Sequence, residues 1–266
     1  MRASWKSSEA ILVARLSRHD HCLDALLGKE VAKERLSAVD KEAAMSRITW
    51  TDQIGDLADA DFVIEAVSED LALKQNLLAR LNAILPVSKA DDIIVASNTS
   101  SISITKLAAS YRRPDRFVGM HFMNPVPVMR LIELIAGRQT SLLTMEITRG
   151  LAEAMGKTTT TSQDIPGFIA NRILMPYINE AVWVLYEGIG TREDIDKTML
   201  LGTNVPMGPL KLADFIGLDT CLAITRVLHS ELGDSKYRPC PLLVQYVNAG
   251  WLGKKAGRGF YEYSKI

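Results

Sequence analysis

The chain has 266 residues, 47% of them hydrophobic, enough to bury a sizeable core in one large or two modest domains. Lys+Arg and Asp+Glu each total 31, so the formal net charge is zero. That balance gives nucleic acid or an anionic membrane nothing to bind, while an anionic small molecule needs only a local basic patch. The three cysteines, Cys22, Cys221 and Cys240, are far apart, which disfavours a disulfide framework or a metal site and fits a reducing compartment. No apolar run reaches the roughly 18 residues of a spanning helix, and the start lacks a signal-peptide core, so a soluble protein is expected.

Residues 1–47 contain a single glycine, Gly28. The run from Ser8 to Ile48 reads as helical, with apolar Leu23, Leu26, Leu27 and Val31, and Ser37 with Asp40 resembles a capping box for a second short helix. From about Ile48 to Thr161, short apolar runs alternate with amphipathic stretches. Asp61 to Ala66 predicts a buried strand, Leu71 to Leu85 a helix, Asp92 to Ser97 a strand and Ile104 to Ala109 a short helix. Phe117 to Phe122 and Arg130 to Ile135 predict two more strands, Ser141 to Met155 a helix, and Thr158 to Ser162 a last strand. Such alternation means an α/β fold with a mostly parallel sheet, whose ligands bind beyond the C-terminal strand ends.

The texture changes at Asp164-Ile-Pro-Gly. Beyond it come only helices and turns: Asn171 to Gly188, with Pro176 expected to kink it; Arg192 to Met199, capped by Thr191; Pro209 to Phe215; Asp219 to Leu232; and one opened by Pro241. Two domains follow, an α/β domain over residues 1–163 and an all-α domain over 164–266.

The sharpest chemical signal is Gly119-Met-His-Phe-Met-Asn-Pro-Val-Pro127. His121 stands in an apolar strand that ends at once in an Asn-Pro turn, so it projects at the crevice mouth. Glu133 lies in the apolar run Leu131-Ile-Glu-Leu-Ile135, where a carboxylate is costly unless paired. A carboxylate beside an imidazole holds one tautomer and stabilises the imidazolium, which makes a usable base. A satisfied core histidine and a solvent-facing sheet-edge carboxylate are the alternatives these residues leave open. Ala96-Ser-Asn-Thr-Ser-Ser101 ends a strand in hydroxyls and an amide suited to polar substrate atoms, and Asn171 falls in the first turns of a helix.

These stretches, with Asp61–Asp70, Ile165–Asn179, Pro206–Cys221 and Gly250–Tyr263, resemble the short-chain L-3-hydroxyacyl-CoA (3-hydroxybutyryl-CoA) dehydrogenase family from about Ser8 to Tyr263, with a few residues extra around Pro86 to Asp91. The resemblance implies a Rossmann-type sheet, NAD as cofactor and an acyl-CoA substrate, in fatty-acid β-oxidation or butanoate metabolism. It implies that His121 takes the proton of the 3-hydroxyl while hydride leaves C3, and that Glu133 orients and charges His121. Ser100 and Asn171 are implied at the substrate's oxygens and thioester. Glu69, Lys74, Ser100, Asn124 and Lys255 match positions that contact NAD, and Lys29, with Ser100, positions that meet CoA. The family also implies a homodimer through the helical domain. A cytoplasmic or mitochondrial-matrix location is expected, and the end Ser264-Lys-Ile266 lies one residue from a peroxisomal address.

The chain departs from the family at its start. The family's strand, glycine-rich turn and helix, which let backbone approach a pyrophosphate, are expected to be missing, with roughly 25 residues lost and the strands beside the gap left with open edges. The Rossmann-type sheet is therefore expected to be N-terminally truncated. A reading of another class follows: a non-catalytic homologue that binds acyl-CoA or serves as a dimer partner.

Overall fold

The short, β-branched apolar runs form strands and the amphipathic stretches between them form helices, in a computed structural model that describes residues 10–13, 16–85 and 93–263. Strand β1 (Ala10–Val13) pairs in parallel with β2 (Ile48–Thr51), with α1 (Leu16–Ala32) and α2 (Ala38–Met45) between them. Ser37 caps α2, its hydroxyl accepting from the Asp40 amide at 3.0 Å, as the capping-box pattern predicts. The expectation of a helical run from Ser8 is corrected at Ala10–Val13: four apolar residues, two of them β-branched, suit a parallel strand better than a helix end. A strand followed by a helix therefore does open the described chain.

A second sheet has the order β3 (Phe62–Glu65), β4 (Ile94–Ser97), β5 (Phe117–Phe122), β6 (Leu131–Ala136) and β7 (Thr158–Gln163). Every pairing in it is parallel except β5 with β6. Both faces are covered, and the two-residue period of the strands divides the side chains between them. Val95, Phe117 and Ile135 pack beneath α3 (Leu71–Ile84) and α4 (Ile104–Ala108). Ile94, Ala96, Val118, Met120, Ile132 and Leu134 pack with Met145 and Ala152 of α5 (Leu142–Ala154) on the other face.

Five helices follow: α6 (Ala170–Tyr186), α7 (Arg192–Gly202), α8 (Pro209–Ile216), α9 (Leu218–Leu232) and α10 (Pro241–Asn248). Pro176 is accommodated inside α6. Thr191 caps α7 through the Asp194 amide at 3.1 Å. Their core joins Met175, Ile178, Val182, Leu210, Leu222, Leu228, Leu243 and Phe260. The C-terminal segment is tied to buried Asp214, whose carboxylate accepts from the Phe260 and Tyr261 amides at 2.9 Å and from the Tyr263 hydroxyl at 3.0 Å. Burial raises the Asp214 carboxyl above its ordinary range, against those donors. Among the described residues no helix is long and apolar enough to cross a membrane. Ser264-Lys-Ile266 and the stretch at Pro86–Asp91 lie outside the described residues.

Candidate active site

The antiparallel pairing of β5 with β6 sets His121 directly opposite Glu133. Directly opposed residues share a sheet face, so two side chains twelve positions apart meet. His121 Nδ1 lies 2.9 Å from Glu133 Oε2, and the residues are 6% and 1% exposed. The other carboxylate oxygen accepts from the Ile169 and Ala170 amides at 3.1 and 3.0 Å, where α6 begins. Those N–H groups have no partner within their own helix, and the helix dipole favours an anion there. The carboxylate thus links the sheet to the first helix of the following bundle while holding the imidazole. The solvent-facing glutamate is set aside by this geometry, since Glu133 is 1% exposed.

The outward nitrogen, His121 Nε2, lies 3.1 Å from Ser100 Oγ. Ser100 belongs to the loop beyond β4, and its carbonyl accepts from Asn171 Nδ2 at 3.3 Å. His121, Glu133, Ser100 and Asn171 therefore come together where β4 and β5 end, antiparallel β6 begins and α6 starts. A cavity of about 360 Å³, lined in part by Leu71, Ser101, Lys106, Phe168 and Val227, opens beside this loop between sheet and bundle. The linker into the bundle frames the site. Asp164 accepts from Ser103 Oγ and the Ile104 and Thr105 amides, each at 2.8 Å, and so pins the linker to the start of α4. Gly167 at φ +82° turns the chain where a Cβ would stand 2.7 Å from Leu228. Phe168 then sets its ring edge-on to His121, with centroids 5.8 Å apart. Asp164 and Phe168 join the site without being among the expected residues; an acidic residue just before Ile-Pro-Gly, and an aromatic just after it, are the signals the sequence offers.

The remaining candidates are placed less uniformly. Asn124 is exposed in the turn after β5, preceding a cis peptide to Pro125. Glu69 is partly exposed and bonded to the Ser100 loop through Ser100 N at 2.8 Å. Lys74 makes its bonds inward. It is fully buried, with Nζ 2.7 Å from Glu65 Oε1 and 3.2 Å from the Val67 carbonyl, because an ammonium inside this core needs those partners. Lys255 is ion-paired to Asp219 at 2.7 Å. Lys29 is exposed on α1 and takes part in none of the site's bonds.

A nicotinamide dinucleotide can be tested against this donor set. One imidazole, one hydroxyl and the carboxamide of Asn171 gather where ligands of such sheets bind, with Asn124 in the turn just beyond β5, and they fit a nicotinamide beside a hydroxyl- or keto-bearing carbon. Residues 14–15 between β1 and α1, Ala and Arg, hold no glycine, so the fit rests on the nicotinamide end.

Comparison with known proteins gives the family. Residues 11–165 match the family model described as 3-hydroxyacyl-CoA dehydrogenase, NAD binding domain, and 167–263 its C-terminal domain. Because the first model matches from residue 11, the expected N-terminal truncation is not supported. The chain is similar to the 3-hydroxybutyryl-CoA dehydrogenase of Bradyrhizobium diazoefficiens, with 54% identity over 89% of this chain and 80% of that protein. It is 41% identical to the human mitochondrial hydroxyacyl-coenzyme A dehydrogenase over 89% of this chain and 76% of that one. The crystal structure of (S)-3-hydroxybutyryl-CoA dehydrogenase from Ralstonia eutropha superposes with a TM-score of 0.91 at 47% identity, over 96% of this chain and 90% of that one.

Proposed function

Because the chain belongs to the 3-hydroxyacyl-CoA dehydrogenase family, we propose that it interconverts L-3-hydroxyacyl-CoA and 3-oxoacyl-CoA with NAD, acting on short acyl chains such as 3-hydroxybutyryl-CoA. The observation that carries this reading is the buried His121–Glu133 pair whose free nitrogen meets Ser100. NAD, when bound, supplies the hydride acceptor for C3, and the protein supplies geometry and proton handling. With Nδ1–H donated to Glu133, the imidazole offers the Nε2 lone pair to the 3-hydroxyl proton. Glu133 then stabilises the imidazolium. Ser100, bonded to His121, and Asn171, which donates to the Ser100 carbonyl, donate toward the oxygen that gains negative charge in reduction. Asn124, exposed in the turn after β5, is the residue best placed to hold the nicotinamide end.

Residues 1–163 serve as the cofactor-binding domain and 164–266 as the helical substrate and dimerisation domain, the linker at Asp164 joining them. A homodimer through the helices is supported by exposed Ile173, Ile189 and Leu201, at 67, 70 and 71%. A reducing compartment suits free, buried Cys221 and Cys240.

Purified protein given acetoacetyl-CoA and NADH is expected to consume the ultraviolet absorbance of the reduced nicotinamide and to form L-3-hydroxybutyryl-CoA. Binding of the acyl-CoA with no NADH consumed would overturn the assignment.

A further inference from the structure

The loop that carries Ser100 belongs to no strand or helix, yet one oxygen organises it. Glu69 Oε1 accepts from Thr99 Oγ1 at 2.7 Å, from the Ser100 and Ser101 amides at 2.8 Å each, and from Ser101 Oγ at 2.9 Å. The other oxygen of Glu69 faces Lys74 Nζ at 3.7 Å. Lys74 is 0% exposed and shares its charge with Glu65, which also accepts from the Val67 amide at 2.6 Å and from Ser97 Oγ at 2.5 Å. A cation placed this deep has one orientation, so it fixes the carboxylates around it. From β3 to α6 the polar groups form a continuous series: Glu65, Lys74, Glu69, the Ser100 loop, His121 and Glu133.

We propose that Glu69 is a positioning residue. It holds the loop so that Ser100 Oγ stays against His121 Nε2, and buried Lys74 holds Glu69 in turn. This rests on the reading above that Ser100 and His121 form the reactive centre. Ser100 is then bracketed on three sides: its amide by Glu69, its carbonyl by Asn171 and its hydroxyl by His121. Removing the carboxylate frees two backbone N–H groups and two hydroxyls at once, and Ser100 Oγ loses its fixed distance to the base. Displacements of this size at a reacting centre are felt mainly in turnover.

The test is a double-mutant cycle in the full chain, reading kcat and both KM values for acetoacetyl-CoA reduction. S100A is expected to lower kcat roughly 100-fold, and E69A roughly 10-fold with the KM for NADH moving less than about threefold. E69A/S100A is expected to stay within about threefold of S100A, since Glu69 acts through a hydroxyl that is already gone. E69Q, which keeps an accepting oxygen, is expected to recover most of the E69A loss. If E69A fails to fold, E69D replaces it, since its shorter side chain cannot reach the Ser100 and Ser101 amides together.

Two losses that multiply in the double variant would overturn the positioning role while leaving Ser100 in the site. A loss confined to the KM for NADH would do the same and return Glu69 to a cofactor contact. S100A with wild-type turnover would overturn both this inference and the reading it rests on.

Discussion

Replacing Glu133 by glutamine separates the two tasks of that carboxylate. One oxygen accepts from His121 at 2.9 Å and the other from the Ile169 and Ala170 amides at 3.1 and 3.0 Å. Glutamine offers one acceptor and one donor in the same volume, so it cannot serve both sides. With its oxygen toward α6, its NH₂ faces Nδ1, which must then give up its proton and place it on Nε2. The base is in the wrong tautomer. With its oxygen toward His121, its NH₂ points at two buried N–H donors, at roughly 1–3 kcal/mol. The first arrangement satisfies more groups and is the one expected. E133Q should therefore lose about 100-fold or more in kcat while losing only about 1–3 kcal/mol of stability. Steady-state reduction of acetoacetyl-CoA at saturating substrates across pH, with urea unfolding of the same sample, gives both numbers. Turnover within about threefold of wild type, with an unchanged pH profile, would refute the pairing as a source of catalysis.

His121→Gln should lower kcat by roughly 10²–10⁴ while unfolding near the wild-type urea midpoint; near-wild-type turnover removes His121 from the mechanism. Gly259→Ala places a Cβ 1.9 Å from Asp214 Oδ1, so the tail must leave its carboxylate, at a cost of roughly 1–3 kcal/mol in denaturant unfolding. An unshifted midpoint would show that the tail does not contribute. Tyr263→Phe removes a donor to Asp214, about 0.5–1.5 kcal/mol at neutral pH. Asp214 has a raised native pKa, so it favours folding when protonated and that contribution is lost as pH rises through the native value. The Tyr263 bond favours the ionised form over the protonated one. The deficit of Tyr263→Phe should thus shrink as pH falls into the carboxylate range, and a deficit constant with pH would refute it.

Much of the fold was legible because its signals are local. Phe117–Phe122 is apolar except for His121, follows Arg-Pro-Asp-Arg and precedes an Asn-Pro turn, and it forms a strand at those limits. Thr191 three residues before Asp194, and Ser37 before Asp40, announce helix starts that the caps bear out. Ala10–Val13 was misread because four apolar residues ahead of a helical run look like its first turn. What makes them a strand is Ile48–Thr51, nearly forty positions away, whose backbone completes the ladder. Pairing of that kind leaves no mark on either segment alone.

The site divides along the same physical line. His121 and Glu133 stand out in sequence because each is an ionisable group where its neighbours demand apolar side chains. That only one pairing in the five-stranded sheet is antiparallel, and that it sets the two residues opposite each other, comes from topology. Lys74 shows the reverse case. On a helix of mixed composition it looks like an exposed cation available to a ligand, and nothing local says that its turn faces Glu65. Once the helix is docked, the same charge is fully buried and directed at carboxylates. A lysine expected at the cofactor is paired with Glu65 and Glu69, the second of which bonds the Ser100 loop. Its substitution should accordingly reach catalysis through Ser100 and the fold before it reaches NADH affinity.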